Sequence, residues 1–226
     1  MTDMRAQDEA WIKVLDELRT TSGVRVSNKT LGGLESEGGR EGSEEFEDGA
    51  EHRLDTALVA CSPNFSEVGC QWGTVEPHPL LSGEFFLVPV LRAIREEAPD
   101  FSSSLHTETE REVGSQLRII DEAPYTGSGS YAALRVRSES GEPEIWFAHH
   151  LQGLWRMDLT YCEYIRTLTV TKGCFDWQHL FTEAPLSSTE FSKSAQRLRT
   201  MLDVLPPLFP DHDYAPLHAR LAERLR

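Results

Sequence analysis

Basic residues are scarce in this chain: 22 Lys and Arg stand against 37 Asp and Glu, for a formal net charge of −15. That deficit argues against a nucleic-acid partner, because a phosphate backbone is bound through Lys and Arg that displace its counterions. No run of about 18 apolar residues free of charge occurs, so no transmembrane helix is expected. The start, Met1-Thr2-Asp3-Met4-Arg5, passes into charged amphipathic sequence without the apolar run of a signal peptide, and a cytoplasmic protein is expected. Only four cysteines occur (Cys61, Cys70, Cys162, Cys174), far apart and without a CxxC, which reads as reduced, buried thiols. Also missing are GxxxxGK(S/T), GxGxxG after a strand, HExxH and GxSxG, so the common nucleotide, zinc-protease and hydrolase signatures are excluded.

What is present suffices for a folded body. The 226 residues, 39% of them apolar, fit one domain or one domain with an appendage. Residues 1–60 hold 7 basic and 14 acidic side chains, residues 61–186 hold 9 and 18, and residues 187–226 hold 6 and 5. The acidity therefore covers the first two thirds, which suggests an acidic face more than an acidic tail. Such a charge favours solubility and leaves a basic partner open.

The pattern divides the chain into residues 1–31, an N-terminal helix and connection; 32–49, a flexible acidic loop; and 50–226, the main α+β domain. Trp11, Val14, Leu15 and Leu18 recur at helical spacing and predict a helix over 4–21, with Gly23 just past its end. Residues 32–49 contain six glycines and seven acids (Glu35, Glu37, Glu41, Glu44, Glu45, Glu47, Asp48) and have little to bury. Leu54, Leu58 and Cys61 give a short helical spacing. Residues 62–83 read as a Pro- and Gly-punctuated stretch, and Phe85–Leu91 is ambiguous because Pro89 speaks against a central strand. A helix is expected from about Pro89 to Glu97.

The middle of the chain reads as β-structure. Strands are expected at Leu117–Ile120 and Tyr131–Arg137, around the loop Thr126-Gly127-Ser128-Gly129-Ser130. The clearest hairpin pairs Glu144–Leu151 with Leu154–Leu159 through a two-residue turn, Gln152-Gly153. That register sets His149 opposite Arg156 and Phe147 opposite Asp158. It leaves Trp146, Ala148, His150, Trp155, Met157 and Leu159 on the other, core-directed face. Two capping boxes follow, Thr160-Tyr161-Cys162-Glu163 and Ser187-Ser188-Thr189-Glu190. The first opens a helix facing inward with Tyr161, Tyr164, Ile165 and Leu168. The second opens one carrying Phe191, Ala195, Leu198, Leu202 and Leu205, stopped by Pro206-Pro207. A last helix from about Tyr214 carries Leu217, Leu221 and Leu225.

Chemistry-bearing candidates are few. The GSGS at 127–130 has no helix after it and reads as a loop between strands, not a phosphate cradle. His149 and His150 are adjacent, and neighbours in a strand point to opposite faces, so no shared metal is expected. His149, Arg156 and Asp158 would form a polar group with an imidazole, a guanidinium and a carboxylate, the best local candidate for proton transfer. The same composition is ordinary on any solvent-facing strand pair. Asp176, Trp177, Gln178 and His179 form a second patch, in which Trp177, with Phe175 and Phe181, is expected to plug the core while His179 is satisfied locally.

The run from Glu144 to Phe181 resembles the SUKH superfamily, which includes fungal cell-wall synthesis regulators and bacterial toxin-immunity proteins. The residues that carry it are Ile145-Trp146-Phe147, Gly153 through Leu159, Tyr161, Tyr164, Thr171-Lys172-Gly173 and Trp177 through Phe181, with Ser82 through Leu87 as an earlier piece. The resemblance implies an α+β domain with a central, mainly antiparallel sheet flanked by helices. It implies a non-catalytic protein that binds and neutralises a toxin domain; an adaptor or regulator of a housekeeping partner is the alternative. The shared residues are mostly aromatic and glycine, which specify a core and turns, so no catalytic residue, metal or cofactor is carried over. Many such toxins attack nucleic acid and are basic. The candidate partner-binding surface is accordingly acidic and lies about the hairpin: Glu142, Glu144, His149, Arg156 and Asp158.

Overall fold

The computed structural model describes residues 6–34, 56–103, 106–136 and 143–226. Its centre is a seven-stranded antiparallel meander in which every strand neighbours the next in sequence. The strands are β1 (Val24–Leu31), β2 (Val68–Thr74), β3 (Ser82–Leu87), β4 (Leu117–Glu122), β5 (Ser130–Arg135), β6 (Glu144–His149) and β7 (Gly153–Met157). The helices are α1 (Ala6–Thr20), α2 (Thr56–Cys61), α3 (Val90–Ala93), α4 (Glu108–Ser115), α5 (Tyr161–Thr171), α6 (Ser192–Leu208) and α7 (Ala215–Arg224), with a 3₁₀ turn at Trp177–Phe181. The architecture is α+β, an antiparallel sheet flanked by helices, as the sequence predicts.

Strand alternation divides the apolar side chains between two cores. Val68, Cys70, Trp72, Phe85, Leu87, Ile120, Ala132, Leu134, Ile145, Phe147 and Met157 face the large core, which α1, α5, α6 and α7 complete. The opposite face carries a small cluster, Val113, Leu117 and Ala133, with Phe101, Tyr131, Trp146 and Leu154 packed around it. In α1 the predicted stripe is buried as expected, and Asp8 beside it is fully enclosed. Its carboxylate accepts from the backbone N–H and the side-chain amide of Asn64 at 2.8 and 2.9 Å, which makes the buried charge tolerable.

Three strands lie where the sequence reads otherwise. β2 falls inside the stretch taken as a Pro- and Gly-punctuated connection. Its glycines serve close packing: a Cβ on Gly69 would meet Phe86 at 2.6 Å. β3 ends at Leu87, before Pro89, so the proline does not bear on it. β1 and the helix α4 carry too weak an apolar period to stand out, although Thr107 and Glu110 cap α4 with a full box. The expected helix at 89–97 shortens to Val90–Ala93.

The helix starts and stops are partly redrawn. The box Thr160/Glu163 forms, with Glu163 N–H donating to Thr160 Oγ1 at 3.3 Å and Thr160 N–H to Glu163 Oε2 at 2.8 Å. The box at Ser187–Glu190 does not form. α6 begins at Ser192 behind Phe191, whose ring is wedged edge-on between Trp155 (6.0 Å) and His179 (5.3 Å). Aromatic packing fixes that helix start in place of a hydroxyl cap. Pro206 and Pro207 lie inside the last turn instead of ending the helix before them, since it runs on to Leu208.

Residues 35–49 of the expected acidic loop lie outside the described residues. Its first residues are tied down: Gly32 N–H donates to Glu67 O, Ser66 N–H donates to Gly33 O, both at 2.9 Å, and Leu34 bridges Phe65. The thiol expectation is corrected as well. Cys70 and Cys174 are buried thiols, but Cys61 and Cys162 form a disulfide between α2 and α5, with Cα atoms 5.3 Å apart. Sequence separation hid the pair, because only the packing of α2 on α5 brings them together.

Candidate functional site

The hairpin turn decides where the candidate residues go. Gln152 N–H donates to His149 O at 3.0 Å and Gly153 adopts a φ of +89°, so a three-residue loop, 150–152, closes on a left-handed glycine. The two-residue turn expected at Gln152-Gly153 is replaced, and the register moves by an odd number of residues. Trp146 pairs with Arg156, Phe147 with Trp155, and His149 with Gly153. An odd shift exchanges faces. Trp155 therefore joins Phe147 on the main-core side, while Trp146 lies opposite, over the small cluster. His149 and Arg156 stand on different faces and form no joint group.

Glu144, Arg156 and Asp158 line a shallow hollow of about 240 Å³ beside Thr160 and Glu163. Its charge is largely spent within the chain. Glu144 accepts from Arg135 at 3.3 Å and from Trp146 Nε1 at 3.0 Å, and Arg156 lies 3.5 Å away. Asp158 pairs with Arg220 at 2.8 Å. Glu142 lies outside the described residues. Of the five candidates, three share this hollow and His149 belongs to a different one.

That second hollow, a cleft of about 370 Å³, arises from a split in the sheet. Between β3 and β4 the ladder reduces to one pair, Leu87 with Asp121. Beyond it, buried carboxylates satisfy backbone groups that the ladder leaves open. Asp121 Oδ1 accepts from Phe86 N–H at 2.9 Å, and Glu84 accepts from Tyr125 and Thr126 N–H at 2.5 and 3.0 Å. Asp121 Oδ2 also accepts from Tyr164 O–H at 2.6 Å. Glu84 and Asp121 are only 6% and 4% exposed, so these stitches are dry.

Electrostatics in the cleft follow from burial. Burial pushes the Asp121 carboxyl up to about 7, against the pull of its bonds from Tyr164 and Phe86, with Glu122 and Glu84 adding to the rise. Glu122 is raised by burial and by Glu84. Across the cleft, Asp176 has a left-handed backbone, φ +71°, and holds Arg197 at 2.5 Å. His149 is lowered by burial, opposed by Asp176 and reinforced by His150 and Arg197. Its Nδ1 accepts from Leu151 N–H at 3.2 Å. The His149 and His150 rings stack at 5.1 Å, contrary to the opposite-face expectation, because His150 already lies in the turn. Leu151 stands 75% exposed at the rim. Among the described residues, no group of three or more His, Cys, Asp or Glu side chains could hold a metal ion.

Trp177 fills the core as expected, against Tyr164 and Phe181. His179 beside it is lowered to about 4 by burial and bonds Gln152 Oε1 at 2.9 Å. The cleft carboxylates Glu84 and Asp121 were not legible as site residues, since Glu84 beside Phe85 and Asp121 beside Glu122 carry no spacing that sets them apart from other strand acids. No described helix is long and apolar enough to cross a membrane. The chain matches no family model, and no curated protein or solved structure matches it.

Proposed function

We propose that this chain is a non-catalytic, cytoplasmic immunity-type protein that masks a basic toxin domain. The observation that carries the reading is the split-sheet cleft: its inner carboxylates are held by backbone N–H groups and a tyrosine, with exposed Leu151 at the rim. The inner acids fix the shape of the wall, and the exposed Glu122 on the same cleft, with Leu151 at the rim, suits capture of a Lys- or Arg-bearing segment whose apolar neighbour covers the leucine. The residues behind the SUKH resemblance support binding over chemistry. Tyr161, Tyr164, Trp177 and Leu180 are buried in the core, and Gly153 and Gly173 occupy positive-φ turns. The hairpin acids contribute less than their number suggests, because Glu144 and Asp158 are already paired.

The test is capture from native lysate at low salt, identification of the retained protein, and stopped-flow kinetics with that protein purified. A basic cytotoxic domain is expected. Its association should slow strongly between about 0.05 and 0.5 M salt as the Debye length shrinks, with dissociation little changed. Leu151→Asp should shorten the complex lifetime without altering the fold. Retention of a housekeeping protein, with kinetics indifferent to salt, would favour the adaptor reading instead.

A further inference from the structure

The disulfide joins two of the four cysteines that differ from the others in access. Cys61 closes α2 and Cys162 sits in the first turn of α5, both partly exposed. Cys70 and Cys174 are fully buried, and burial raises both thiols, Cys70 to about 12. Only the first pair can meet a thiol from solution. The start of an eleven-residue helix favours a thiolate at Cys162 through the open N–H groups and the dipole. The neighbouring Glu163 is turned back onto Thr160, accepting from its N–H and O–H at 2.8 Å. Arg166, one turn on, donates from Nε to Cys162 O at 3.3 Å and brings a positive charge to the same turn. Cys61 stands at the C-terminal end of its own helix, where the dipole disfavours a thiolate.

We infer that Cys61 and Cys162 are a reversible thiol-oxidation site, with Cys162 the reactive member and glutathione-type thiols the co-reactant. In reduction, a glutathione thiolate attacks Cys61 Sγ; the protein S–S bond breaks and Cys162 leaves as the thiolate, then takes a proton. A second glutathione thiolate attacks the glutathione sulfur of the mixed disulfide and frees Cys61. One protein disulfide is reduced and two glutathiones become one glutathione disulfide. Oxidation by glutathione disulfide starts at Cys162: its thiolate attacks one glutathione sulfur and a glutathione thiolate leaves, and the Cys61 thiolate then attacks Cys162 Sγ, closing the protein S–S bond and releasing the second glutathione thiolate. A reversible crosslink suits a cytoplasmic chain, where permanent disulfides are rare. Its local effect is on α2. The residues just after Cys61 are anchored independently, through Val90 N–H donating to Ser62 Oγ at 2.9 Å and through the Asn64 clasp on Asp8. Reduction should therefore loosen 56–61 and spare the rest.

The full chain is equilibrated in buffers of stepped reduced-to-oxidised glutathione ratio, trapped by alkylation, and read by intact mass and by hydrogen exchange. The crosslink should pass from whole to broken within that series while the protein stays folded. Exchange over 56–61 should quicken about tenfold or more, with β5 and β6 unchanged. In single variants, Cys162 (with Cys61→Ser) should form the glutathione adduct about tenfold faster than Cys61 (with Cys162→Ser). The site is refuted by a crosslink that survives excess reduced glutathione, that never forms in excess glutathione disulfide, or whose loss unfolds the whole chain or leaves 56–61 unchanged. Faster reaction at Cys61 would overturn the role of Cys162. The reversibility argument rests on the cytoplasmic placement proposed above, but none of these readings involves a binding partner, so their failure is distinguishable from failure of the toxin-masking reading.

Discussion

Phe147 stands opposite Trp155 across the β6–β7 hairpin, and that single pairing sends both rings to the main core and Trp146 to the other face. Trp155 is further fixed by its Nε1 donating to Gln152 O at 2.7 Å and by the edge of Phe191. Trp155→Ala should cost about 2–3 kcal/mol, below the roughly 3–5 kcal/mol expected for the fully buried Trp177→Ala. Urea midpoints compare the two. A loss under about 1 kcal/mol for Trp155 would contradict this hairpin register.

Asp121 gives the sheet split a pH signature. Its folded-state pKa, about 7, lies above the ordinary 3.8, so the folded chain holds that proton more tightly than the unfolded chain does. Its contribution is therefore fully present below about pH 4 and is lost as pH rises through about 7, at roughly 1.4 kcal/mol for each unit of separation. Asp121→Asn keeps an acceptor for Phe86 N–H and cannot ionise. The difference in stability between variant and parent should move in the variant's favour from about pH 5 to pH 8. A difference that stays constant would mean Asp121 titrates normally.

Lys172 is fully buried, its ammonium bonded to Glu17 at 2.5 Å and to His212 at 2.9 Å, over the Phe209 ring. Its carbonyl accepts from Trp72 Nε1 at 2.6 Å, which ties α1, β2 and the end of α5 to one residue. Lys172→Met should destabilise by about 1–3 kcal/mol, because Glu17 loses its nearest cation but keeps His212 at 3.0 Å and Lys13 at 3.6 Å. The double variant with Glu17→Gln should lose clearly less than the sum of the two single losses. Strict additivity in chemical denaturation would show that the pair is not coupled.

Glu144 and Asp158 should respond differently to charge reversal. Glu144 is 13% exposed between Arg135 and Arg156, so Glu144→Lys places three cations together and should cost about 1–3 kcal/mol. Asp158 is 80% exposed beside Arg220, and Asp158→Lys should change stability by less than about 1 kcal/mol. Thermal melts of the two variants distinguish this from a hairpin whose acids are equally free.

The sequence by itself determined what local periodicity and composition control. The α1 stripe at Trp11, Val14, Leu15 and Leu18, the capping box at Thr160/Glu163 and the buried face of α5 are all written in short-range patterns, whereas the antiparallel α+β class was implied by a resemblance of longer runs of residues. Tertiary structure decided whatever depends on residues meeting across the fold. β2 needed the rings that pack against its glycines. The start of α6 needed Trp155 and His179 around Phe191. The hairpin faces turned on one left-handed glycine, Gly153, whose φ selects a three-residue loop where the residue types alone equally suit two. The Cys61–Cys162 bond and the cleft stitches Glu84–Tyr125 and Asp121–Phe86 join residues 101, 41 and 35 positions apart, respectively, separations no local pattern encodes.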